Sequence, residues 1–117
     1  MDLSQMQRNA QRASALLKCL SNEHRLMILC KLAIGEWSVG ELEEVVGLSQ
    51  SALSQHLARL RREGLVKTRR EAQTIYYSLS GDEATRVIEA VYEVFCSKLD
   101  DDLTDDGTSA TDVRASA

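Results

Sequence analysis

Apolar residues recur at Met6, Ala10, Ala13, Leu16, Leu17 and Leu20, close to the 3.6-residue helical period, and predict a first helix over 3–20. Ser21 or Asn22 can cap a second, with Glu23 well placed in its first turn and Leu26, Met27, Leu29, Cys30 and Ile34 as its buried face. It should run to 33 or 34, where Gly35 supplies a left-handed stop. Ser38-Val-Gly-Glu41 reads as a capping box: the serine hydroxyl accepts an amide near the helix start and the glutamate reaches back to the serine amide. A short third helix over 39–46 follows. Gly47-Leu48-Ser49 is a tight turn, with Ser49 as the N-cap of a fourth helix that ends at Gly64.

That fourth helix has a narrow apolar stripe, Leu53, Leu57 and Leu60, and is otherwise polar or small. So little apolar face commits the other side to something wet, either solvent or the floor of a DNA major groove. Two β-rich runs, 66–70 and 74–80, alternate apolar and polar residues around Glu71-Ala72-Gln73 and predict a hairpin. A last helix opens at Gly81 or Asp82 and runs to about Leu99, with Ala84, Val87, Ile88, Val91, Tyr92, Phe95 and Leu99 on a broad stripe. The order α-α-α-α-β-β-α, mainly α with a β-hairpin wing, is that of a winged helix-turn-helix. The stripes on the first and last helices exceed what a small core needs and predict a homodimer joined through those two helices; the alternative is a monomer whose terminal helices close the core. A dimer would set two recognition helices one DNA turn apart on a two-fold operator.

The expected DNA contacts follow from that order. Gln50, Ser51, Ser54, Gln55, His56 and Arg59 lie off the leucine stripe. Glutamine matches adenine bidentately and arginine matches guanine, while serine and histidine bond bases or phosphates. Lys67, Arg69, Arg70 and Gln73 on the wing would reach phosphates or the minor groove. Charge agrees locally though not globally. The formal net charge is −4, yet between 50 and 75 six cations face two carboxylates.

From 100 to 117 six aspartates stand against one arginine in a Ser, Thr, Gly and Ala background. That stretch is expected to be a disordered acidic tail, either a solvated appendage or a weak competitor for the basic face, beside one folded domain over 1–99. With 117 residues, 44% of them hydrophobic, the chain can build one core, and no apolar run nears the ~20 residues of a membrane span. The N-terminus has no basic segment leading into an apolar one, so a cytoplasmic protein is expected, with its three cysteines as thiols. An enzyme finds no support: there is no Cys-x-x-Cys, no phosphate loop and no nucleophile with its base. No cofactor is expected. A protein-interaction module on the same fold is opposed by the basic wing.

Leu-Ser-Asn-Glu-His-Arg-Leu-Met-Ile-Leu at 20–29, Ser-Val-Gly-Glu-Leu at 38–42, Leu-Ser-Gln-Ser-Ala-Leu-Ser-Gln-His-Leu at 48–57 and Arg-Arg-Glu-Ala-Gln-Thr-Ile-Tyr-Tyr at 69–77 resemble the ArsR family of bacterial winged-helix repressors over 12–98. The resemblance implies a dimer that holds a promoter until an inducer loosens it. Metal-sensing branches carry a Cys-x-Cys pair in the third helix or Asp and His residues along the last, and neither pattern occurs here. Asp82, Glu83, Glu89 and Glu93 read as a solvated face rather than a cation site. Arg-Leu-Met-Ile-Leu-Cys at 25–30 and Val-Phe-Cys at 94–96 resemble the BigR, SqrR and HlyU branch, of which BigR and SqrR members use two cysteines to respond to persulfide or polysulfide. That implies Cys30 and Cys96 as redox-sensing thiols. On burial statistics alone both are ordinary core cysteines. The alternative within the family is a regulator or anti-silencer that answers general oxidants or no inducer. Cys19 has no counterpart role and reads as structural.

Overall fold

A computed structural model describes residues 2–97; the end of the predicted last helix and the acidic stretch 100–117 lie outside the described residues. Helix α1 (Leu3–Leu20) opens on a capping box between Asp2 and Gln5, a start the sequence reading overlooked. Asn22 caps α2 (Glu23–Ala33) by accepting the Arg25 amide. This helix ends at Ile34, with φ −101°, and Gly35 is not among the left-handed residues, so the expected glycine stop is absent. Ser38 and Glu41 form the expected box at the start of α3 (Val39–Val46). Gly47, at φ 75°, closes that helix by donating to the Glu43 carbonyl. Ser49 caps α4 (Gln50–Arg62), and Gly64 at φ 76° turns the chain into the wing.

The wing has three strands rather than two. Strand β2 (Val66–Glu71) pairs antiparallel with β3 (Thr74–Leu79), and β1 (Trp37–Ser38) adds to the other edge of β3 through Trp37 and Tyr77, giving the order β1-β3-β2. A two-residue strand whose Trp37 pairs with Tyr77, 40 positions away, carries no local signal; its pairing is wholly non-local. Ala72 takes φ 56° at the hairpin tip, an angle that costs an L-residue roughly 1–2 kcal/mol.

Leucine and isoleucine side chains from four helices meet in one core, with Ile28 and Leu29 of α2, Leu42 of α3, Leu53, Leu57 and Leu60 of α4 and Ile88 of α5 (Asp82–Val91) fully buried. On α2 the face turns further than expected: Arg25, Ile28 and Leu32 are buried, whereas Ile34 is exposed. On α1 only Cys19 and Leu20 are buried, and Leu3, Met6 and Leu17 remain exposed. Beyond Val91 the last helix changes type, and Tyr92–Ser97 form π-helical turns. A π turn takes one more residue per hydrogen-bonded ring, so a stripe projected at α-helical spacing slips. Phe95 is thereby 68% exposed, and Cys96, five positions after Val91, is half-buried. Among the described residues no helix is long and apolar enough to cross a membrane.

Candidate nucleic-acid interface and thiol pair

The three leucines seat α4 on the core and turn its other side outward. Gln50, Ser51, Ser54 and Gln55 are exposed as expected, while His56 and Arg59 are half-buried at the helix flank. Arg62, at the end of α4, is exposed and seven positions after Gln55. Two helical turns bring it onto the Gln55 face, so it belongs to the same surface as the expected base-contacting residues. Its seven-residue spacing from Gln55 was the available signal. His56 leans back toward α2, its ring centre 6.0 Å from that of His24 at a 36° tilt. Burial lowers its pKa first, followed by the charges of Arg25, His24 and Arg59.

Strand alternation separates the wing cations. Arg69 lies opposite Tyr76, whereas Arg70 lies opposite Ile75 on the other face, which also carries Tyr77. Tyr77 borders a groove of about 420 Å³ lined by Ser54, Ala58, Arg61 and Arg62 of α4, so Arg70 shares the recognition-helix side. Arg69 is engaged internally. Its Nη2 and Nη1 donate to Glu36 and Glu71 at 2.8 and 2.7 Å, and its guanidinium lies 4.7 Å from the Tyr76 ring centre. The bonds from Arg69 hold the Glu36 carboxyl below its usual range and raise the Arg69 pKa. Lys67 and Gln73 are exposed. The four wing residues therefore divide into three available contacts and one brace. Arg70→Ala should weaken DNA binding and lower the salt slope by about one unit, whereas Arg69→Ala should leave that slope unchanged; fluorescence anisotropy across salt concentrations distinguishes them, and the reverse pattern refutes the division.

Cys30 and Cys96 are both free, Cys30 buried and Cys96 half-buried, and they are neighbours where α2 meets the π-helical turns after α5. Burial, the nearby Cys96 charge and a hydrogen bond to Cys96 push the Cys30 thiol up to about 12. Cys19 is buried in the core at 1% exposure, and its carbonyl accepts the Arg25 Nε at 2.8 Å. Among the described residues no cluster of three or more His, Cys, Asp or Glu side chains could hold a metal ion.

The segment after Cys30 bridges thiols and wing. Lys31 follows Cys30; its carbonyl accepts the Trp37 indole N–H at 3.0 Å, and its ammonium lies 4.4 Å from the Trp37 ring centre. Trp37 begins β1, and Glu36 before it holds Arg69.

Residues 22–68 match the family of bacterial regulatory proteins described as arsR. The transcriptional activator HlyU of Vibrio cholerae is 54% identical over 96 residues, covering 82% of this chain and 89% of the relative. The biofilm growth-associated repressor of Agrobacterium fabrum is 50% identical over 95 residues, 81% of each chain. Among solved structures, the repressor BigR from Xylella fastidiosa superposes with a TM-score of 0.78 at 42% identity, covering 83% of this chain and 96% of that one. A winged helix, an outward polar recognition helix and these relatives converge: the chain belongs to the arsR family of DNA-binding bacterial transcriptional regulators.

Proposed function

We propose that this protein is a homodimeric repressor whose hold on a two-fold operator is switched by the Cys30 and Cys96 dithiol reacting with persulfide or polysulfide. The observation that carries the reading is the contact between the two thiols, one from α2 and one from the π-helical turns after α5. Cys96, the more exposed, attacks a sulfane sulfur as thiolate and displaces the shortened polysulfide. Cys30 then attacks the Cys96 sulfur, the pair closes as a disulfide, and the sulfane sulfur leaves as hydrosulfide carrying the Cys30 proton. Two thiols are oxidised and one sulfane sulfur is reduced. Capture of a second sulfane sulfur before closure leaves one sulfur in the bridge, which relaxes the ~7 Å limit on the Cα separation of a direct disulfide.

A bridge here pulls on α2 one residue before Lys31, from which Trp37, Glu36 and Arg69 lead to the wing. That is a physical route from thiols to DNA contacts. Dimerisation is supported by the apolar side chains left uncovered on the first and last helical segments, Leu3, Met6 and Leu17 with Val94 and Phe95, and by the homodimeric winged-helix domain Mb0332 of Mycobacterium bovis, 29% identical with a TM-score of 0.68. A redox role is supported by HlyU, 54% identical, whose structure was solved in a reduced form. The name of that relative, an activator, favours a second reading in which the chain relieves silencing by displacing another protein from DNA. A gel shift with the gene's own upstream duplex, before and after polysulfide, tests the first reading. Binding that polysulfide releases and dithiothreitol restores is expected; binding insensitive to polysulfide but lost with peroxide overturns the sulfane-sulfur assignment.

A further inference from the structure

His24 opens onto solvent in the first turn of α2, and His56 faces it from the flank of α4 with 6.0 Å between ring centres. The groups whose charges act on His56 are Arg25 and His24 from α2 and Arg59 from α4 itself, and every one is basic. Among the described residues none of these four makes an ion pair, and Glu23, the adjacent carboxylate, does not pair with them either. Arg25 is buried and held in place by its bond to the Cys19 carbonyl. A folded protein that gathers four basic groups without an acid bears a repulsion that an anion would relieve. The cluster borders the helix assigned to the DNA major groove, where the nearest anion is a backbone phosphate.

We propose that His24 and His56, backed by Arg25 and Arg59, seat one DNA phosphate beside the recognition helix, and that the seat takes up a proton as the phosphate enters. The inference rests on the DNA-binding reading of α4 and extends the interface to α2. Each protonated imidazole has two N–H donors, each able to reach a phosphate oxygen at about 2.8 Å. In the free protein burial and the surrounding cations hold His56 below the ordinary histidine value, which favours its neutral form. A phosphate seated against the edges of both rings reverses the balance and favours the charged form. Proton uptake on binding makes DNA affinity rise as pH falls, up to about tenfold per pH unit for one proton. Phosphate contacts are blind to sequence, so the gain applies equally to operator and scrambled duplex.

The test is fluorescence anisotropy with the gene's own upstream duplex and a scrambled duplex at pH 8 and pH 6, under dithiothreitol, for the wild-type protein, His24→Gln and His56→Gln. The wild type should bind both duplexes roughly threefold to tenfold more tightly at pH 6. Each variant should lose that gain and show a pH 6 salt slope lower by about one unit. His24 is exposed, so its replacement leaves the core intact. A pH gain that persists in either variant, or is absent from the wild type, overturns the shared seat while leaving DNA binding standing. Failure of the wild type to bind either duplex at both pH values overturns the DNA reading together with the seat.

Discussion

Cys96→Ser is expected to be blind to polysulfide: it gains no sulfur and keeps its duplex, while Cys30→Ser gains sulfur at Cys96 but forms no cross-link. The order follows from the two environments. Cys30 is buried, and burial together with the Cys96 charge pushes its thiol up to about 12, so that it is held as the unreactive thiol at neutral pH. In the proposed switch the half-buried Cys96 would therefore be the entry point, and Cys30 would resolve. Once Cys96 has given its charge to a sulfur–sulfur bond, one of the causes holding the Cys30 proton is gone. Closure still requires that proton to leave, so cross-linking should accelerate with rising pH, toward about tenfold per unit. Intact-protein mass spectrometry at timed intervals, beside anisotropy on the same samples, reads both steps. Release of DNA from Cys96→Ser by polysulfide would refute the scheme, and sulfur added first at Cys30 would invert it.

Leu60→Ala should remove a large share of the stability of the fold, whereas Gln55→Ala, on the opposite side of the same helix, should remove DNA affinity and little else. Leu60 has 0% exposure and packs with Leu53 and Leu57 against the shared core. Truncating a buried leucine costs about 2–5 kcal/mol, against a total of roughly 5–15 kcal/mol for a domain. At about 4–8 °C per kcal/mol for a domain of this size, Tm should fall by about 8 °C or more. Gln55 is exposed, and replacing such a residue changes stability by about 0.5 kcal/mol at most, while a lost bidentate base contact costs about 1–3 kcal/mol of discrimination. Calorimetry and anisotropy on the two variants separate the roles. Equal Tm losses would mean that the outward face of α4 is part of the core after all.

Local chemistry determined most of the helix boundaries. Ser38 with Glu41, and Ser49, specify the starts of α3 and α4 through side-chain bonds that span three residues. Gly47 and Gly64 specify their exits through a backbone angle that other residues resist. The sparse leucines of α4 announced a helix with one dry face, and the hairpin alternation was legible for the same reason: its period lies within a few residues. The resemblance of 20–29, 48–57 and 69–77 to the ArsR pattern then supplied the family, which the 54% identity to HlyU bears out.

What only the tertiary structure decided depends on residues far apart in the chain. Strand β1 exists because Trp37 meets Tyr77. Arg69 became a brace because Glu36 lies 33 positions before it in sequence and within hydrogen-bond reach in space. His56 faces His24 across a helix interface, which converts a candidate base contact into half of a basic cluster. The π-helical turns after Val91 bring Cys96 against Cys30 and leave Phe95 outside, an outcome that α-helical spacing misreads. Sequence specifies elements because caps, turns and periodicity act over a few bonds. It does not display sites, because burial, charge and hydrogen bonding act through space, and only the packed helices bring those side chains within range of one another.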